Sequence, residues 1–216
     1  MTLQSLLVLF GYQLLDRMTI RGLDARIDAE TKQQRQDIAD KVDAALALIA
    51  KYAPVRFDCL RRDMKRLFIG PTAYRAVWIS ELAMCLVRRE YAQDQATAPA
   101  RLALTLVHEG THARLDRAGF GDGESVRARI EAACVQAEII FASRLPAADE
   151  LTAAAILRRN RDSDFFSDAS ERARIFAQLD QLGWEGKLAK WLNRHIPYLF
   201  RPRQRKTRRR RPSNER

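Results

Sequence analysis

The sequence predicts a mostly helical α+β fold in which a small β-sheet packs beside a buried helix. Apolar residues recur near helical spacing along most of the 216 residues. The stretch 74–91 differs, because its apolar clusters are typical of two short strands. Residues 102–107 are apolar almost all round, which indicates a helix inside the core.

Residues 1–17 predict a helix packed on the domain. They are too short for a membrane span of about 20 residues and lack the basic start and small-residue cleavage site of a secretory signal. An interfacial membrane anchor is the alternative. Residues 24–52 then follow a helical pattern closed by Pro54, so that 1–52 is predicted to be a helical region.

The apolar residues of 56–69 stand at i, i+4, i+7 and i+8, which favours another helix over a strand. A Gly-Pro pair at 70–71 predicts a turn. Residues 77–79 and 82–87 are interpreted as the two strands of the small sheet. Further helices are predicted from Pro99, which suits a first helical turn, and over 124–144, 150–159 and 168–182. Residues 187–200 form a last amphipathic stretch.

Inside the helix that begins near Pro99, the chain carries the pattern His-Glu-x-x-His. Residues four apart lie on one face of a helix, so His108 and His112 can present two imidazole nitrogens to one metal ion. Glu109 lies one position round, where a carboxylate can act as general base on a metal-bound water without being a ligand. The chain has three histidines, and this motif uses two of them.

The surroundings of the motif resemble the extended signature of zinc peptidases, except that Arg114 stands where a hydrophobic residue is usual. Eighteen residues separate His112 from Glu131. This spacing resembles that of the Glu-type zincins, or gluzincins, whose third zinc ligand is a glutamate on the next helix. The resemblance covers roughly residues 98–145.

The resemblance implies a zincin-like metallopeptidase domain over residues 1–200 that hydrolyses peptide bonds. Zn²⁺ would be held by His108, His112 and Glu131, with Glu109 as general base. It also implies that a sheet edge holds an extended peptide by backbone hydrogen bonds, and 83–89 occupies that place in the order, unless it is simply a buried supporting strand. His195 and Tyr198 are the candidate oxyanion donors, with a surface histidine beside a half-buried aromatic as the alternative.

Helical phase leaves other ligands open. Glu124, Glu131 and Glu138 share one stripe of the helix over 124–144, between apolar flanks where a carboxylate is costly unless it is paired or metal-bound. The stripe does not choose among them, and the gluzincin spacing selects Glu131. Asp116, one turn beyond His112, is either a further ligand, a partner of a ligand or a surface residue.

The three cysteines show no C-x-x-C spacing, which predicts buried thiols in a reducing, cytoplasmic compartment. Cys134 is predicted to be a small core residue, with a place in the pocket as the alternative. The alternative function is a non-hydrolytic module of the same fold that binds a metal or a partner.

The net charge is concentrated at the end of the chain. Residues 201–216 hold nine Lys or Arg and one Glu, a net of +8 out of +11, which leaves +3 for the first 200 residues. Such an arginine-rich stretch predicts a disordered tail. It is either merely solvated or contacts nucleic acid or a membrane surface without reading sequence. The other predicted partner is a peptide or protein substrate.

Overall fold

The computed structural model describes residues 3–72, 74–120, 124–146 and 148–159. Over these residues the fold is α+β and mostly helical, with a mixed five-stranded sheet. The helices are α1 Leu3–Leu14, α2 Lys32–Tyr52, α3 Pro54–Asp63, α4 Arg89–Gln93, α5 Pro99–Arg117, α6 Glu124–Ala142 and α7 Ala148–Arg159. The strands are β1 Met18–Ile20, β2 Leu23–Ile27, β3 Arg66–Gly70, β4 Ala76–Ile79 and β5 Met84–Arg88, with a 3₁₀ turn, Ser80–Leu82, between the last two.

The strands are arranged in the order β1-β2-β3-β5-β4. The inner pairs β2–β3 and β3–β5 are parallel, whereas β1–β2 and β4–β5 are antiparallel. Successive side chains of a strand point to opposite faces. In β3, Leu67 and Ile69 therefore belong to the main core, while Phe68 between them belongs to a second cluster.

The two faces of the sheet pack against different helices. The main core lies between one face and helices α2 and α5, and α6 covers α5 in turn. On the other face, Tyr12 of α1 packs against Phe68, Met84 and Leu86. Helix α5 is thus enclosed by the sheet side, α2, α3 and α6, which explains why its first half is apolar almost all round.

The predicted helix within 1–17 is confirmed as α1, but the prediction of an entirely helical region over 1–52 is wrong. Residues 18–27 form an antiparallel hairpin, and the burial of β2 alternates strictly between buried and half-buried. Arg21 and Gly22 both have positive φ angles, of 46° and 85°. Two such residues are what a two-residue type I′ hairpin turn requires.

The prediction of one helix over 56–69 is also wrong in its second half. Helix α3 ends at Asp63, and Met64 is already extended, with φ −89° and ψ 108°. Strand β3 has parallel neighbours on both sides, so Leu67 to Gly70 are all buried. A strand that is buried on both faces shows no alternation of polar and apolar residues. The apolar residues of β3 therefore matched helical spacing by coincidence.

The two predicted strands near 77–79 and 82–87 are confirmed as β4 and β5. The placement of 83–89 at the sheet edge is wrong, and the alternative of a buried strand is confirmed, because β5 lies between β3 and β4 and is buried except at the half-buried Arg88. The edge is β4, which folds back outside β5 through a turn with Ala83 at φ 47°. Helices α5, α6 and α7 confirm three predicted helices; the predictions for 168–182, 187–200 and 201–216 lie outside the described residues.

Candidate metal centre

The packing of α5 on α3 fixes the orientation of the helix that carries the His-Glu-x-x-His motif. A Cβ atom at Gly110 would lie 3.2 Å from Leu60 Cδ1, so glycine allows α3 to approach this side closely. One turn further, Arg114 is exposed and lines a cavity of about 20 Å³ between the two helices, together with Arg56. Arg114 therefore departs from the zinc-peptidase signature at a position that faces solvent and α3 in this chain.

The histidines lie on the opposite side of α5 and face α6. Nε2 of His108 and Nε2 of His112 are 3.1 Å apart. The Glu131 carboxylate spans both rings, with Oε2 at 3.3 Å from His108 Nε2 and Oε1 at 3.2 Å from His112 Nε2. The structure thus brings together the three residues that the gluzincin resemblance implied as ligands.

These separations fit a metal ion. Zinc binds imidazole nitrogen at about 2.0–2.1 Å in tetrahedral geometry, which sets neighbouring donor atoms about 3.4 Å apart. The three donor–donor distances of 3.1, 3.2 and 3.3 Å lie within a few tenths of an ångström of that value. The side chains of His108, His112 and Glu131 are 17%, 19% and 23% exposed, so the cluster is open to solvent on one side.

Glu138 contacts the His108 ring at Nδ1, the nitrogen that does not contact Glu131. Its Oε1 lies 2.6 Å from His108 Nδ1, and the residue is 2% exposed. When Nδ1–H donates to this carboxylate, the lone pair of the imidazole is left on Nε2, which faces the other donors. Glu138, which the sequence leaves open as an alternative metal ligand, therefore contacts Nδ1 of His108 and fixes the orientation of its ring.

The ionisable groups of the cluster strongly affect one another. Burial alone would lower the pKa of His108, but hydrogen bonds to Glu131 and Glu138 and the charge of Glu109 raise it to about 10. Burial would raise the pKa of Glu131, yet the two histidines hold it well below its usual range. The proton shared between His108 and Glu131 therefore lies on His108, and a metal ion that binds this nitrogen must displace it.

Glu109 is buried next to this cluster, with 6% of its surface exposed. Burial raises the pKa of its carboxyl; the charges of His108 and His112 oppose that rise, and those of Glu131 and Glu138 add to it. The Glu109 carboxylate is therefore buried within the electrostatic field of both histidines.

A further donor, Cys134, belongs to the same cluster. Donor atoms of His108, His112 and Cys134 all lie within 4.8 Å of one another, and the cysteine is fully buried. Burial raises the pKa of its thiol, and the carboxylates of Glu131, Glu109 and Glu138 add to the effect. The signal in the sequence was its position three residues after Glu131, on the flank of the carboxylate stripe.

The remaining candidates have other places. Asp116 accepts hydrogen bonds from Ser80 Oγ at 2.7 Å and Trp78 Nε1 at 3.3 Å, and so ties the end of α5 to the edge strand β4. The side chain of Glu124 and the two candidate oxyanion donors, His195 and Tyr198, lie outside the described residues.

In comparisons with known proteins, no protein-family model, curated protein or solved structure matches the chain. Among the described residues, no helix has both the length and the apolar character needed to cross a membrane.

Proposed function

We propose that this protein is a zinc-dependent metallopeptidase with a zincin-like fold, in which His108, His112 and Glu131 hold the metal. The observation that carries the proposal is the meeting of three donor groups from α5 and α6 at separations of 3.1 to 3.3 Å. Two neutral nitrogens and one carboxylate form a ligand set that suits zinc and leaves a position open for chemistry.

Glu109 is the proposed catalytic residue. Zinc, when bound, supplies a Lewis acid that polarises the scissile carbonyl and lowers the pKa of water to about 7. Glu109 accepts the proton of the attacking water and delivers it to the leaving amine as the carbon–nitrogen bond breaks. Its burial at 6% exposure keeps this proton exchange away from bulk solvent.

The edge strand β4 is the proposed binding place for the peptide backbone. It is hydrogen-bonded to β5 on one side only in the described sheet, so its outer edge can accept an extended peptide as a further strand. Asp116, one turn after His112, binds Trp78 in β4 and Ser80 just after it, which keeps this edge beside the metal ligands.

The experiment distinguishes the catalytic role of Glu109 from the metal-binding role of the ligands. Glu109→Gln should retain about one zinc per chain, while cleavage of a mixture of unfolded proteins, followed by mass spectrometry, falls at least about 100-fold. Glu131→Gln should lose the metal and the activity together. The control is Glu90→Gln, which changes an exposed carboxylate of α4. Full activity in Glu109→Gln, or loss of its zinc, contradicts the assigned role.

A second candidate function is a metal-binding module without hydrolysis. The presence of Cys134 among the donors favours it, because a site with four protein ligands is typically structural. In this proposal the basic residues of 201–216 contact an anionic partner, nucleic acid or a membrane surface. Bound zinc with no cleavage in the wild type or in any ligand-retaining variant favours this second function.

A further inference from the structure

Helix α6 presents three polar groups to the histidines from one face. Glu131, Cys134 and Glu138 stand at i, i+3 and i+7, which places them in one stripe of the helix. The two carboxylates already contact the His108 ring, one at each nitrogen. Cys134 lies between them in sequence, and it is fully buried on the side that faces α5.

The sulfur is close enough to become a ligand. A zinc–sulfur bond of about 2.3 Å and a zinc–nitrogen bond of about 2.05 Å set sulfur and nitrogen about 3.5 Å apart in tetrahedral geometry. The thiol of Cys134 and the two histidines lie within 4.8 Å of one another. The separations between sulfur and nitrogen therefore exceed the tetrahedral distance by no more than about 1.3 Å.

Zinc favours such a donor. Thiolate is a soft ligand that zinc binds readily, and a coordinating thiol gives up its proton even when burial disfavours the free thiolate. Formation of the metal–sulfur bond releases that one proton to solvent, and no electron changes hands. The alternative for Cys134 is to be a small buried core residue, in which case the metal would have three protein ligands.

We propose that Cys134 is a fourth ligand of the metal held by His108, His112 and Glu131, so that the resting protein has a closed site. This inference rests on the metal site of the proposed function. Four protein donors leave no position for water or substrate. Hydrolysis then requires that the thiolate leave the metal, so Cys134 inhibits the activity of the resting protein.

The experiment uses cobalt(II) as a spectroscopic substitute for zinc in the full-length protein. A cobalt–thiolate bond produces a sulfur-to-metal charge-transfer band in the near ultraviolet, whereas imidazole and carboxylate ligands do not. The band is expected in the wild type and lost in Cys134→Ser and Cys134→Ala, with about one cobalt per chain in all three. Cys59→Ser is the matched control, because Cys59 lines the cavity on the α3 side of α5.

The outcomes separate the inference from the proposed function. If the wild type binds cobalt but shows no such band, Cys134 is not a ligand, and the site with three ligands still stands. No bound cobalt in the wild type overturns both. A band that disappears with Cys134, accompanied by a several-fold rise in peptide cleavage in both Cys134 variants, supports both. A band with no cleavage in any variant supports the thiolate ligand and overturns the peptidase.

Discussion

At the scale of single residues, Glu138 contacts Nδ1 of His108, and in the proposed metal site it orients the ring that binds zinc. Glu138→Ala removes the acceptor that lies 2.6 Å from His108 Nδ1, so the ring is free to rotate and to change tautomer. We expect the zinc dissociation constant to rise about 10- to 100-fold. Glu138→Gln keeps a carbonyl acceptor in the same place and should weaken binding less.

Competition with a chromophoric chelator measures these affinities. The control is Gln136→Ala, on the same helix but exposed. If Glu138→Ala and Gln136→Ala bind zinc as tightly as the wild type, the ring of His108 does not depend on Glu138, and its assigned role is wrong.

The sequence predicts which residues gather at this site, but it does not predict which carboxylate contacts which nitrogen of His108. Helical periodicity places Glu131 and Glu138 on one face, because seven residues are close to two turns. It does not say how far α6 is displaced along α5, and that displacement decides which carboxylate meets Nε2 and which meets Nδ1. For the same reason periodicity does not reveal that the sulfur of Cys134 lies within 4.8 Å of both rings.

At the scale of secondary-structure elements, Asp63 joins the end of α3 to the end of α5. Its side chain is fully buried and binds Arg62 through two hydrogen bonds and Arg117 through one. Burial would raise the pKa of Asp63, but the two guanidinium groups outweigh it and lower the pKa below its usual value. The charged form is therefore favoured in the folded state.

Asp63→Asn should lower the free energy of unfolding by about 1–2 kcal/mol at pH 7, since both arginine partners are more than half exposed and partly screened. A depressed folded-state pKa gives stability that is complete above the unfolded value of about 3.9 and is lost as the pH falls below it. The difference between wild type and variant should thus be constant from pH 7 to 5 and shrink below about pH 4.

Urea unfolding at each pH measures the difference. Asp58→Asn, an exposed carboxylate of the same helix, is the control and should show no comparable loss at pH 7. A wild-type advantage over Asp63→Asn that persists undiminished at pH 3 contradicts an ionic link between α3 and α5.

Short strands were the hardest elements to predict. Helices α5 and α6 have 19 residues each, which is too long for a strand, so their apolar stretches could be assigned to helices from length alone. Strand β1 has only three residues, and β3 is buried on both faces, so neither shows a clear two-residue period. The parallel neighbours of β3 also come from distant parts of the chain, which local patterns do not report.

At the scale of the whole molecule, the sheet lies between helix α1 and the cluster of His108, His112 and Glu131. Tyr12 is 2% exposed and packs edge-on against Phe68, with ring centroids 5.7 Å apart. The guanidinium of Arg26 lies 4.5 Å above its ring, and its hydroxyl donates to the carbonyl of Asp24 at 3.3 Å. These contacts all lie on the face of the sheet that is opposite α5.

Tyr12→Ala should therefore lower the free energy of unfolding by about 3–5 kcal/mol, as expected for loss of a large buried aromatic side chain. Tyr12→Phe keeps the ring and should cost about 1 kcal/mol, the contribution of one hydrogen bond. Because α1 contributes no ligand, the increase in unfolding free energy on addition of zinc should be the same in wild type and Tyr12→Phe. Urea unfolding with and without zinc measures both quantities. If the increase in unfolding free energy on addition of zinc is smaller in Tyr12→Phe by more than about 1.4 kcal/mol, the variant has lost at least about tenfold in zinc affinity. Packing on the far face of the sheet would then set the distance between the α5 histidines and Glu131, and the two faces would act as one unit.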